Sequence, residues 1–126
     1  MKKVVLTQEA PAPIGAYSQG ISFDRLIFTS GQLPLDMADG HLITNDVEAA
    51  AKAALENVIA VVKSAGGDKD TIIKTTVFLK DMNDFPLVNK QYSELFPENA
   101  PARSAVQVAR LPKDVHVEIE AIAYIK

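Results

Sequence analysis

The sequence predicts an α+β fold of order ββαβαββ, a mixed sheet with two helices on one face. Three patterns lead there. Apolar residues from Val47 fall at 47, 51, 54, 55, 58, 61, 62 and 65, the 3.6-residue stripe of an amphipathic helix. Ile72 to Lys80 is rich in β-branched residues, which favour strand. The C-terminal stretch alternates strictly, with Val115, Val117, Ile119, Ala121, Ala123 and Ile125 on one side and His116, Glu118, Glu120, Ile122 and Tyr124 on the other. Strands interleaved with two helices bury their apolar faces best as a sheet with a helical layer.

In chain order, Val4 to Thr7 reads as a short edge strand, and the Pro11, Pro13, Gly15 cluster that follows is irregular. Ile21 to Phe23 and Leu26 to Thr29 flank Asp24-Arg25 as a hairpin, with Gly31 and Pro34 ending its second strand. Asp39-Gly40 marks a turn. The first helix takes Asn45 as N-cap, with Glu48 completing a capping box and Gly66-Gly67 as the stop. Asp84 caps a second helix, Pro86 fits its first turn, Val88, Tyr92, Leu95 and Phe96 form its apolar face, and Pro97 closes it. Arg103 to Ala109 is a strand, and Leu111 to Asp114 turns into the last one, Val115 to Ile125.

The 126 residues are read as one domain, 1–126. Lys+Arg 13 against Asp+Glu 16 leaves a net charge of −3, which offers no general attraction to nucleic acid or anionic lipid. With no cysteine, disulfides, thiolate metal sites and a cysteine nucleophile are excluded, and a reducing compartment suits the chain. Met1-Lys2-Lys3 is followed by only Val4-Val5-Leu6 before polar residues, so no signal-peptide core forms, and no stretch approaches the roughly 18 apolar residues of a membrane span. A cytoplasmic location is expected.

Some residues bear chemistry. Arg103 at the start of a strand is either a surface ion-pair residue or a bidentate clamp for a substrate carboxylate. If Arg103, Ala105 and Gln107 share a side with Glu118, an arginine and a carboxylate converge. Glu118 and Glu120 are either solvated strand residues or, beside a semi-apolar face, able to hold a water. Ile122 and Tyr124 on that same face point to cover by another subunit. His41 and His116 have no partner at ligand spacing, so no metal is assigned. Gly15 to Gly20 lacks the Lys-Ser/Thr of a phosphate loop, and Ser30 has no histidine in a recognisable motif to activate it. Tyr17 and Phe85 read as packing residues that also suit the walls of a small-ligand pocket.

Ile14-Gly15-Ala16-Tyr17-Ser18-Gln19-Gly20, Thr29-Ser30-Gly31-Gln32, Lys74 to Asp81, Asn83-Asp84-Phe85, Pro101-Ala102-Arg103-Ser104, Val108 to Pro112 and Val117-Glu118-Ile119-Glu120, in this order and spacing, resemble the RidA family, formerly YjgF. The resemblance implies a chorismate-mutase-like fold assembled as a homotrimer, a trimeric barrel with three clefts between subunits. It implies hydrolysis of reactive 2-imino acids, formed from the enamines 2-aminoacrylate and 2-aminocrotonate that leave pyridoxal-phosphate-dependent dehydratases, to 2-oxo acids and ammonia, with no cofactor of its own. Arg103 matches the arginine that grips the carboxylate and Glu118 the glutamate that positions water. Tyr17, Ser30, Gly31, Phe85 and Asn89 match cleft residues. Ala105 stands where many members carry cysteine, so that position acts here through its backbone. A non-catalytic trimer that holds a 2-oxo acid on Arg103 is the rival reading. Glu118 favours the enzyme, because a carboxylate facing a carboxylate ligand is costly unless it serves a water or donates a proton. RNA cleavage, attached to some relatives, fits poorly with the acidic charge.

Overall fold

The structure is a computed structural model that describes residues 1–126. Eight strands and two helices follow one another as β1 (Lys3–Val5), β2 (Gly20–Phe23), β3 (Leu26–Thr29), β4 (Leu35–Asp36), β5 (His41–Leu42), α1 (Val47–Ser64), β6 (Ile72–Leu79), α2 (Phe85–Leu95), β7 (Ala102–Gln107) and β8 (Val117–Tyr124). Six strands form one mixed sheet in the order β1-β2-β3-β8-β6-β7, and β4 pairs β5 separately. Only β6 and β7 run parallel, joined by α2. The predicted α+β architecture therefore stands, with a small additional hairpin around the Asp39-Gly40 turn, where Gly40 takes φ 77°.

Both helices lie on one side of the sheet. Val117, Ile119, Ala121 and Ala123 of β8 are buried there, as are Val77 and Leu79 of β6. The face of α1 turned to them holds Ala50, Ala51 and Ala54 beside Leu55, Val58 and Val62, and the alanines let the helix sit close to the sheet. Tyr92 and Val88 of α2 close the layer, with Tyr92 Oη hydrogen-bonded to Thr75 Oγ1 at 2.8 Å. A hairpin turn with Asp24 at φ 53° joins β2 to β3.

Two caps differ from the sequence reading. Asp46, not Asn45, caps α1 and accepts from the Ala49 N–H at 3.1 Å. Starting one residue later puts Ala49 at the third helical position, so Glu48 completes no capping box. Its carboxylate instead meets Lys90 Nζ (3.1 Å) and Gln91 Nε2 (3.3 Å) of α2, and the Lys90 hydrogen bond leads in lowering its pKa. Asp84 precedes α2 but makes no capping bond, because a 3₁₀ turn (Met82–Asp84) runs straight into the helix and Asp81 caps that turn through the Asn83 N–H. Gly66, at φ 100°, takes the left-handed turn after α1.

The face of the sheet away from the helices is uncovered. Phe28, Val106 and Tyr124 are exposed on it, and Phe78 and Ile122 half-buried. No helix is long and apolar enough to cross a membrane.

Candidate active site

Register decides where the two charged candidates lie. Arg103 pairs with Thr75, which pairs with Ala121, so Arg103 points to the helix side. Glu118 pairs with Phe78, and Phe78 with Val106, on the uncovered side. The sequence reading left open whether Arg103, Ala105 and Gln107 share a side with Glu118. They do not, because the parallel pairing of β7 with β6 places Ala105 opposite Val77 and Val106 opposite Phe78. Within one chain the arginine and the carboxylate stand on opposite faces.

The Arg103 half is built on α2. Phe85, Asn89 and Tyr92 are spaced to share one helix face. The guanidinium lies 5.0 Å from the centre of the Phe85 ring and 4.6 Å from that of Tyr92, and its Nη1 donates to Asn89 Oδ1 at 2.8 Å. No carboxylate pairs with it, so the surface ion-pair reading of Arg103 is overturned. The cation is held by rings and an amide, with the rest of its planar fork free for an anion. Asn89, Tyr92, Ser93, Phe96, Pro101 and Arg103 surround a hollow of about 270 Å³. Burial pushes the Tyr92 phenol up, against the Thr75 hydrogen bond and the nearby cation. Ala105 lies on the same side, half-buried against the core.

The Glu118 half is built where β3 leaves the sheet. β3 and β8 pair up to Phe28 and Ile122 and meet again at Gln32 and Ile119, with one extra residue on the β3 side. Thr29 Oγ1 accepts the Ala121 N–H at 3.0 Å across this bulge. Gln32 and Ile119 exchange backbone hydrogen bonds of 2.7 and 3.1 Å, which holds Gly31 against Glu118. A Cβ on Gly31 would lie 1.9 Å from Glu118 Oε2, so any side chain at this position would push the carboxylate out of the place it occupies. Burial raises the Glu118 pKa, and the Glu120 charge adds to it. Ser30 Oγ donates to the Ser18 carbonyl at 2.6 Å, a hydrogen-bonding role with no general base beside it. Tyr17, half-exposed, and Gly31 border an apolar cleft of about 320 Å³ with Ile14, Leu33, Leu35 and Leu42.

The remaining candidates lie elsewhere. His41 is exposed beside Asp39, and His116 Nε2 meets the Thr44 carbonyl at 3.0 Å. No three His, Cys, Asp or Glu side chains cluster to hold a metal. The widest hollow, about 790 Å³, runs along the outer side of α1 by Glu56, Ile59 and Lys63, remote from Arg103 and Glu118. Sequence reasoning missed Tyr92 as part of the arginine's cradle and Gln19 as a buried polar hub. The spacing of Phe85, Asn89 and Tyr92 was a usable signal for the first.

A family model described as Endoribonuclease L-PSP matches residues 7–125. A 2-iminobutanoate/2-iminopropanoate deaminase of Salmonella typhimurium is 53% identical, over 98% of both chains. The crystal structure of the YjgF gene product of Escherichia coli superposes with a TM-score of 0.92 at 51% identity, covering 98% of this chain and 99% of that one. The Escherichia coli TdcF structure with bound serine gives 0.93 at 47%, again covering 98% and 99%. With a family profile over nearly its whole length and relatives at about half identity, the chain belongs to the RidA (YjgF) family, whose profile bears the description endoribonuclease L-PSP.

Proposed function

We propose that the protein hydrolyses 2-imino acids to 2-oxo acids and ammonia, in clefts formed between the subunits of a homotrimer. The observation that carries this reading is the Arg103 guanidinium, fixed by Asn89, Phe85 and Tyr92 yet without a carboxylate of its own. Such a fork binds a carboxylate by two parallel hydrogen bonds. The relative's bound serine presents a carboxylate on the carbon that bears its nitrogen, as an imino acid does. The deaminase named among the relatives supports the same substrate class.

The chemistry is modest. The imine carbon is already electrophilic, so orientation by Arg103 and a placed water supply most of what is needed. Glu118 takes a proton from the water as its oxygen bonds to C2 and passes it to the nitrogen, which gives a carbinolamine; the proton of the C2 hydroxyl then moves through the same carboxylate to the nitrogen as the C–N bond breaks, leaving the 2-oxo acid and ammonia. Tyr17, Ser30, Gly31, Phe85, Asn89 and the Ala105 backbone wall the substrate.

Assembly follows from the opposite faces of Arg103 and Glu118, since only a second subunit can bring the two together. The uncovered apolar sheet face supports the closed, chorismate-mutase-like barrel in which that face turns inward. The absence of cysteine suits a cytoplasmic site. The net charge of −3 gives an endoribonuclease little help with a phosphate backbone.

The test couples a threonine dehydratase to the protein and follows 2-oxobutanoate with a fast imine scavenger present. Acceleration that competes with the scavenger is expected, from a species sedimenting at about three times the chain mass. No acceleration from a folded sample would remove the enzyme reading, and a monomer at micromolar concentration would remove the shared cleft.

A further inference from the structure

The segment from Thr7 to Ser18 contains Pro11, Pro13 and Gly15 and belongs to no helix or strand, yet it carries Ile14 and Tyr17 along the cleft beside Gly31. Prolines remove donors, and the segment closes few hydrogen bonds on itself, among them Tyr17 N–H to the Gly15 carbonyl and Glu9 N–H to Thr7 Oγ1. Most of its polar attachment to the fold runs through one side chain. Gln19 is 1% exposed. Its Nε2 donates to the carbonyls of Thr7 (2.9 Å), Ala10 (3.2 Å) and Pro11 (2.8 Å), and its Oε1 accepts the Thr7 N–H at 2.7 Å. The amide thus takes the place of a partner strand for a stretch of chain that has none.

The same residue reaches the chemistry from the other end. The Gln19 carbonyl accepts the Ser30 N–H at 2.8 Å, and Ser30 Oγ returns a bond to the Ser18 carbonyl at 2.6 Å. Ser30 adjoins Gly31, against which the Glu118 carboxylate rests. Gln19 therefore stands between the loop that carries Tyr17 and the bulge that seats Glu118, touching neither reacting group. The buried Ala10 adds an apolar contact with Val5 and Val61 to the hydrogen bond that its carbonyl accepts from Gln19.

We infer that Gln19 is a positioning residue of the imine-hydrolysing site, its side-chain amide holding the Thr7–Ser18 loop so that Tyr17 forms a wall of the substrate cleft opposite Gly31 and Glu118. The inference rests on the function proposed above and assigns to Gln19 the order of that wall. Loss of the tether leaves Arg103 and Glu118 in place, so substrate is held less well while the bond-making step is unchanged.

Gln19→Met keeps side-chain length and removes every polar contact of the side chain, while the backbone bond to the Ser30 N–H remains. In the coupled assay, KM should rise about tenfold with kcat nearly unchanged, the pattern of lost binding that is equal in ground and transition states. The wild-type pH profile of kcat should be retained. A purely structural role lowers the melting temperature and leaves KM of the folded protein alone, and that outcome would overturn the inference. Should the variant not fold, hydrogen exchange on the wild-type protein decides. The Thr7 amide, bonded only to the Gln19 side chain, is expected to be protected to a degree comparable with the Ser30 amide, and free exchange at Thr7 would overturn the inference too. A wild-type protein without imine turnover would count against the proposed function, while protection at Thr7 would still report on the tether.

Discussion

Glu118→Gln is expected to lower kcat by roughly 10²–10⁴ while 2-oxobutanoate binds nearly as before. The amide is almost the same shape as the carboxylate and still fits against Gly31, but it cannot accept the proton of the attacking water. Because burial and then Glu120 raise the Glu118 pKa, wild-type kcat should fall on acidification at a pH above the ordinary glutamate range, and the residual rate of the variant should lack this limb. Stability moves the other way. A glutamate whose folded pKa lies above its unfolded value contributes stability that is fully present below the unfolded pKa and is lost as the pH rises through the folded one. Glutamine escapes that loss, so the variant should melt no lower than the wild type at neutral pH. Stopped-flow assay of 2-oxobutanoate release, beside thermal melts over a pH series, checks both. An unchanged kcat would remove Glu118 from the proton transfer.

Arg103→Lys keeps the charge and discards the fork. The guanidinium stacks on Phe85 and Tyr92 and spends one N–H on Asn89, which leaves its remaining donors to a carboxylate in one plane. A lysine ammonium offers a point contact with no preferred plane. Charge-assisted hydrogen bonds are worth about 1.5–3 kcal/mol each, so losing one of a pair should cost 2-oxobutanoate affinity and imine turnover about tenfold or more. Calorimetric titration with 2-oxobutanoate, run on a folded variant beside the coupled assay, measures the two together. Unchanged affinity and rate would sink the carboxylate clamp and, with it, the main argument for an imino-acid substrate.

Much of the architecture is legible in the chain because it rests on periodicity. The α1 stripe put Ala51, Ala54, Leu55, Val58, Val61 and Val62 inside, and all are buried. The alternation of β8 likewise separated Val117, Ile119, Ala121 and Ala123 from Glu118 and Glu120. The β4 and β5 strands escaped notice because two residues each are too few to show a period. The cap of α1 slipped by one residue because Asn45 and Asp46 are equally good capping types, and only tertiary contact with Lys90 and Gln91 decides the use of Glu48. The side of the sheet taken by Arg103 was not readable. Alternation within β7 sets which residues go together, whereas the face they take depends on the parallel register with β6, a long-range property. The role of Gln19 was hidden for a similar reason, since its partners lie eight to twelve residues back along an irregular stretch.

The placement of Arg103 and Glu118 on opposite faces has a genetic reading. If every working cleft draws its arginine from one subunit and its carboxylate from the next, a subunit lacking only one of them is still half competent. Two impaired proteins, Arg103→Lys and Glu118→Gln, should therefore complement when co-expressed. In randomly mixed rings about one cleft in four joins an intact arginine to an intact glutamate, so activity should return to about a quarter of the wild-type value. Mixed with wild type, either variant alone should leave activity in proportion to the wild-type fraction, since each altered subunit spoils only the one cleft to which it brings its changed residue and completes the other. Sites confined to single subunits would instead show no rescue between the two variants at any mixing ratio.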